Sequence, residues 1–212
     1  AFNATCGGGL VLNKDVYDMQ PGEALQLINF EPSTEGGYRR LNGTTKYNST
    51  IVPQVSLANE RIQMSAIFND KIIAARGGTV SYGGTSGSWT SLATSQGATY
   101  TYDFDKFNFS GTSKIIIATG EAAAFTVNTS FAVDVINATG GGTAPTNPKF
   151  VKTFANHVFY GGMSNSTHSI LFSVPFSEDN FTSASGAGEI KVGDVVTGLK
   201  VFRDELFIFC QR

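Results

Sequence analysis

Four segments of the chain share one design, in which a polar turn feeds directly into a hydrophobic strand. They are Phe68-Asn69-Asp70-Lys71-Ile72-Ile73, Ser110-Gly111-Thr112-Ser113-Lys114-Ile115-Ile116, Phe154-Ala155-Asn156-His157-Val158-Phe159 and Phe202-Arg203-Asp204-Glu205-Leu206-Phe207. Successive copies lie roughly 42 to 48 residues apart, the period of a four-stranded propeller blade. A repeat of that length restricts the fold, because each unit must bury its apolar face against the next copy. Partner strands follow two of the copies. After the first come Thr79-Val80-Ser81-Tyr82 and Ser88-Trp89-Thr90-Ser91-Leu92. After the third come Ile170-Leu171-Phe172-Ser173 and Asn180-Phe181-Thr182. An ordinary β-sandwich also recurs in short strands and turns, and stays open as the alternative.

The pattern predicts a mainly β protein, with β-propeller-like blades over residues 56–212 and an N-terminal arm over residues 1–55. Blade cores are expected at Ile72-Ile73, Ile115-Ile116, Val158-Phe159 and Leu206-Phe207. Abundant glycine (24 residues) and phenylalanine (17) suit short strands with many turns. Only Glu121-Ala122-Ala123-Ala124 reads as helical, and it is too short to stand alone. The last copy ends at Phe209-Cys210-Gln211-Arg212, before any partner strands, so the repeat is expected to continue past residue 212. In the arm, the apolar positions Leu25, Leu27, Ile28 and Phe30 predict a buried anchor. The pair Arg39-Arg40 falls in a strand that sends the two side chains to opposite faces.

Composition excludes several function classes. A net charge of −2 does not make a basic coat for nucleic acid. No apolar run approaches the ~18 residues of a membrane helix. Cys6 and Cys210 allow one long-range disulfide, although unpaired buried thiols are the favoured reading. With two histidines far apart and no CxxC, no metal site is expected. Gly7-Gly8-Gly9, Gly140-Gly141-Gly142 and Gly186-Ala187-Gly188-Glu189 lack the strand–loop–helix setting of a nucleotide site and read as turns, so no cofactor is expected.

Asp103 and Asp105 interleave with Tyr102, Phe104 and Phe107, an alternation read as carboxylates on one face and aromatics on the other. A glycosidase pair has two carboxylates of this kind, but a solvated strand face is the favoured reading. Glu178-Asp179-Asn180 carries oxygen ligands without a calcium-loop spacing, which favours loop capping. His157 reads as a hydrogen-bonded structural residue, and neither it nor His168 adjoins a nucleophile motif. No catalytic residue is expected. About eight Asn-x-Ser/Thr triplets occur, including those at Asn42, Asn128 and Asn165, against roughly three expected by chance. They keep open a secreted carbohydrate-binding or glycan-processing propeller, although Asn and Thr also concentrate at turns.

Asn29-Phe30-Glu31, then Glu35-Gly36-Gly37-Tyr38-Arg39-Arg40-Leu41-Asn42-Gly43 and Lys46-Tyr47, resemble the N-terminal signature of a group of bacteriophage virion proteins. A second stretch is similar to the blade region of the same group. It comprises Phe154-Ala155-Asn156-His157-Val158-Phe159-Tyr160, Leu171-Phe172-Ser173-Val174-Pro175, Asn180-Phe181, Gly186-Ala187-Gly188-Glu189-Ile190 and Val196-Thr197-Gly198-Leu199 through Arg203-Asp204-Glu205-Leu206. The group is that of the packaged-DNA stabilisation and tail nozzle (tail tubular) proteins of short-tailed phages. The resemblance implies β-propeller domains in a hexameric ring on the tail axis, among other virion proteins of the tail or head–tail junction. Genomic DNA would pass nearby without sequence-specific binding. Phe30, Tyr38, Arg39 and Arg40 are the candidate interface residues. A capsid decoration protein shares this chemistry and differs in location.

Overall fold

The computed structural model describes residues 8–20, 22–32, 38–41, 43, 45–55, 61–109 and 111–212. The chain forms two compact units, Ala1–Lys46 and Tyr47–Arg212. Residues 47–55, grouped with the arm on sequence, belong to the second.

In the first unit, β1 (Gly9–Leu10) pairs in parallel with β2 (Glu23–Ala24), and β3 (Phe30–Pro32) pairs antiparallel with β4 (Tyr38–Arg40). Lys14 reaches Glu23 at 2.7 Å. That hydrogen bond, and one from the Gln20 amide, hold the Glu23 carboxyl below its ordinary value. The expected buried anchor is not formed within this unit, because Leu25, Ile28 and Phe30 are exposed. Strands of two or three residues offer too little surface to cover such side chains. Cys6, residues 33–37, Asn42 and residues 56–60 lie outside the described residues; Cys210 is half-buried.

The second unit is a series of antiparallel sheets. Sheet I is β5 (Ile62–Phe68), β6 (Lys71–Arg76), β7 (Thr79–Gly83) and β8 (Thr90–Ala93). Sheet II is β9 (Asp103–Phe107), β10 (Lys114–Ala118), β11 (Phe125–Asn128) and β12 (Val133–Val135). Sheet III is β13 (Phe150–Phe154), β14 (His157–Met163), β15 (Ser166–Phe172) and β16 (Gly188–Lys191). Sheet IV is β17 (Val196–Phe202) and β18 (Glu205–Cys210). Each strand pairs with the next in sequence, so every sheet is a simple meander. No α-helix occurs among the described residues. Residues 121–124 are bend and extended chain, and the Glu121 carboxylate instead accepts from the Thr99 amide and hydroxyl.

Each of the four predicted blade-core pairs sits on the second strand of its own sheet. Three of the first hairpins turn through two residues of positive φ: Asn69-Asp70, Ala155-Asn156 and Arg203-Asp204. This geometry matches the strand twist. In sheet II the connection is longer, and Phe107 pairs with Lys114 as Phe68 pairs with Lys71. The structural equivalent of Phe68 in the second copy is therefore Phe107, not Ser110. The outer strand of sheet III is Gly188–Lys191 rather than Asn180-Phe181-Thr182. Phe181 is buried from a loop, its amide bonded to the Gly141 carbonyl at 2.8 Å. Gly142 permits this approach, since a Cβ there would lie 2.3 Å from the Phe181 backbone.

Register makes the stacking repetitive. On the forward face of each sheet lie Phe68, Ile73 and Ala75 (I), Phe107, Ile116 and Ala118 (II), Phe154 and Phe159 (III), and Phe202, Phe207 and Phe209 (IV). The sheet I set packs with Ile115 and Ile117 of β10. The sheet II set packs with Val158 and Tyr160 of β14, and the sheet III set with Leu206 and Ile208 of β18. Among the described residues nothing packs on the forward face of sheet IV. Phe202, Phe207 and Phe209 are 56, 41 and 52 % exposed, whereas Phe68 is 4 % and Ile116 0 % exposed. Phe207 therefore departs from the expectation of a buried core position.

Ile116→Ala should cost about 2–5 kcal/mol, and Phe207→Ala, at the equivalent but uncovered position, about 0.5 kcal/mol or less. Urea unfolding of both variants measures the contrast; equal losses would mean that the two faces are equally buried.

Candidate functional site

The junctions between sheets gather the polar side chains. At the I/II junction, Gln63 is 1 % exposed and fully satisfied. Its amide nitrogen donates to the Gly97 and Tyr100 carbonyls (3.0 and 3.1 Å), and its side-chain oxygen accepts from the Gly78 amide at 3.0 Å. Its backbone carbonyl accepts from the Tyr102 amide at 3.1 Å. One buried glutamine thus ties sheet I to the segment that enters sheet II.

At the II/III junction the tie is ionic. Asp103 accepts from the Val151 amide at 3.0 Å and from the Lys152 ammonium at 2.6 Å. Lys152 also donates to the Phe104 carbonyl at 2.9 Å. Asp105 accepts from the Thr153 amide and hydroxyl at 2.7 and 2.6 Å. The two aspartates face one way on β9, opposite Ala118 and Ile116. Phe107 shares that face by parity and packs with Ile116 and Ala118, while Phe104 packs on the other side. The expected segregation of aromatics from carboxylates holds for Phe104 and fails for Phe107. The carboxylates do not form a solvated face either: they bind the first strand of the next sheet. General acid–base work needs an oxygen free to exchange a proton with substrate, and these oxygens hold backbone amides.

A depression of about 500 Å³ adjoins this junction, lined by Asp103, Asp105, Lys152, Leu199 and Lys200 among others. Within it Asp103 and Lys152 pair with each other and Asp105 binds Thr153. Among the described residues, no three His, Cys, Asp or Glu side chains converge as metal ligands.

A second ionic clip lies further along the same junction. Lys114 of β10 pairs with Glu178, and the Asp179 carboxylate accepts from the amides of Asn137, Ala138 and Thr139 (2.9, 2.6 and 2.9 Å). Glu178-Asp179-Asn180 is therefore a loop cap. The Tyr160 hydroxyl, fully buried, donates to the Glu178 carbonyl at 2.7 Å. His157 donates from Nδ1 to the Ser173 carbonyl at 2.6 Å, with its ring edge-on to Phe172. His168 is exposed.

In the first unit Arg39 pairs with Glu31 directly across the β3–β4 ladder at 2.7 Å, and Arg40, opposite Phe30, is exposed. Tyr38 is half-buried and Phe30 exposed. The candidate interface residues thus lie on one hairpin. The Asn side chains of several sequons build turns: Asn48 donates to the Gly84 and Gly87 carbonyls, Asn128 accepts from the Ser130 and Ala132 amides, and Asn180 from the Thr182 amide. Among the described residues no helix is long and apolar enough to cross a membrane. Compared with known families and characterised proteins, the chain matches no family model and no curated sequence.

Gln63 and the Asp103–Lys152 pair carry no local sequence signal, since each partner comes from a distant segment. Asp105→Ala leaves the Thr153 amide without its acceptor and should cost about 1–3 kcal/mol, read by urea unfolding; a neutral effect would mean that the tie contributes nothing. Burial pushes the Tyr102 phenol up to about 12 and the Tyr160 phenol well above the ordinary value of 10. Both ionise near 10 in the unfolded chain. Their contribution to stability is thus intact below pH 10 and lost as pH rises toward the folded values. Thermal melts from about pH 9 to 12 should show this decline, and Tyr160→Phe should make it shallower.

Proposed function

We propose that the chain is a structural component of a bacteriophage tail or head–tail connector, built from β-propeller blades and acting by assembly rather than catalysis. The observation that carries the propeller reading is the stacking of successive antiparallel meanders through equivalent residues on each sheet, the packing of propeller blades. The virion placement rests on the resemblance of residues 29–47 and 154–206 to nozzle-type proteins. The non-catalytic reading draws support from Asp103 and Asp105, whose oxygens are used in joining sheets.

In this reading the chain assembles as a homo-oligomer, hexameric by resemblance, with other tail subunits as partners. Blades are held by burial between neighbours. A chain of net charge −2 offers no general attraction to phosphate, which suits a conduit through which DNA slides. The β3–β4 hairpin, with exposed Phe30 and Arg40, is the docking element, arginine and aromatic side chains being favoured anchors at interfaces.

Purified particles of the virus that encodes the chain should contain it in fixed copy number at the tail vertex, as read by mass spectrometry and particle reconstruction. Its absence from particles would overturn the reading. Deleting residues 1–47 should abolish incorporation while leaving the remaining chain soluble; incorporation at normal occupancy would remove the hairpin from the docking role.

A further inference from the structure

A groove runs along the outer edge of sheet III, where β16 is the last strand. Leu171 of β15 and Glu189 of β16 are partners across the ladder and share one face. Leu171 packs against the II/III core, so this is the face turned toward sheet II. The segments 142–146 and 181–183 flank that face and leave two depressions of about 420 and 190 Å³. Thr143, Leu171 and Glu189 line both, so the two form one continuous groove. Its walls are pinned. The Phe181 amide donates to the Gly141 carbonyl at 2.8 Å, and the Ser164 amide to the Thr146 carbonyl at 3.0 Å. The Asn180 side-chain oxygen accepts from the Thr182 amide at 3.0 Å. A groove held in this way exists before any ligand arrives, which spares binding the cost of ordering it. The polar side chains that line it are uncommitted. Among the described residues Thr143, Thr146, Asn165, Thr182, Ser183 and Glu189 make no side-chain hydrogen bond or ion pair within the protein. The II/III depression is the reverse case, with Asp103, Asp105 and Lys152 all engaged.

We propose that this groove binds a neutral saccharide. Hydroxyl and carboxamide side chains both donate and accept, as the hydroxyls of a sugar ring do. The Glu189 carboxylate can accept from two of those hydroxyls at once, in charge-assisted bonds. Leu171 and Met163 offer apolar surface to the C–H face of the ring. Other ligand classes fit less well. Among the described residues lining the groove, Glu189 is the only charged side chain, so a phosphate or carboxylate meets repulsion and no compensating cation. Calcium takes about six to eight oxygen ligands, several of them from carboxylates, and one glutamate does not supply these. An apolar ligand would bury hydroxyls without partners. A lone carboxylate also binds without cleaving, since glycoside hydrolysis uses a pair. The inference rests on the groove alone and holds wherever the chain resides.

The probe is a panel of neutral oligosaccharides built from glucose, galactose, mannose and N-acetylglucosamine, set beside sialylated and sulfated ones. Each is mixed at millimolar concentration with the full chain and read by saturation-transfer NMR, which registers weak ligands. At least one neutral sugar should bind, and the anionic ones should not. Glu189→Ala should weaken that binding about tenfold, the loss of a charge-assisted bond. Glu189→Gln, which keeps an acceptor, should weaken it less. Thr143→Trp, which fills the stretch common to both depressions, should abolish it. Glu189 and Thr143 are exposed, so these variants should melt at the temperature of the parent chain, and a loss of binding then reports on the groove. Failure of every neutral sugar to bind overturns the proposal. So does binding unchanged in both Glu189→Ala and Thr143→Trp, which would place the sugar elsewhere. Preference for the anionic sugars, or binding that requires added calcium, overturns it as well.

Discussion

A sheet with apolar side chains on both faces must be covered on both, and this requirement organises the second unit. Ile115 and Ile117 face sheet I while Ile116 and Ala118 face sheet III, so one strand, β10, belongs to two cores. β14 repeats the arrangement, with Val158 and Tyr160 turned one way and Phe159 the other. Such strands read as continuous hydrophobic runs rather than alternating ones. Where no sheet covers one face, as at β18 among the described residues, the apolar side chains there are exposed. Burial of Ile115, Ile116 and Ile117 to 0 % exposure accounts for much of the cohesion, at about 1.5–3 kcal/mol per large aliphatic side chain.

Polar ties are laid over this apolar scheme, and they differ from junction to junction. Gln63 serves I/II, Asp103, Asp105 and Lys152 serve II/III, and the apolar residues of β17 and β18 carry III/IV. Apolar contact tolerates sliding of one sheet on another, whereas a carboxylate bound to a particular amide fixes relative position. Asp103 and Asp105 hold the Val151 and Thr153 amides, alternate residues of β13, and so pin the first strands of sheets II and III in register. For a largely buried ion pair such as Asp103–Lys152, desolvation offsets much of the Coulomb attraction; its contribution here is geometric, combined with the satisfaction of amides that have no partner strand.

The sequence made the strands of the repeat legible because a period of alternate turn and apolar run survives without knowledge of partners. Lys71-Ile72-Ile73 and His157-Val158-Phe159 could be assigned from local pattern alone. The longer loop of sheet II hid Phe107 as the counterpart of Phe68, since a repeat read by fixed spacing cannot accommodate an insertion. Phe181 was misread as strand because a buried aromatic looks the same in a loop that dives under Gly142. Glu121-Ala122-Ala123-Ala124 has helical propensity, but its glutamate is held by Thr99 and its last alanine is fully buried, so tertiary contacts override a preference worth a few tenths of a kcal/mol per residue. Of the junction residues, the sequence singled out Asp103 and Asp105 but assigned them to solvent, because the amides they bind lie nearly fifty positions away.

The outer faces of sheets I and IV are unlike each other. On the back face of sheet I, Ala74, Ser81 and Thr79 are buried. Residues 47–55 run alongside this sheet instead: the Arg76 guanidinium donates to the Val52 carbonyl at 3.1 Å, the Trp89 indole to the Thr50 carbonyl at 2.9 Å, and Asn48 to Gly84 and Gly87. Stacked-repeat proteins need an end unit with a polar outer side to stay soluble, and this strap supplies polar backbone in place of a further apolar sheet. On sheet IV, Phe202, Phe207 and Phe209 are covered by no such strap among the described residues. The two outer faces of the described series thus differ in kind: polar backbone lies along the back of sheet I, and aromatic side chains are exposed on the front of sheet IV.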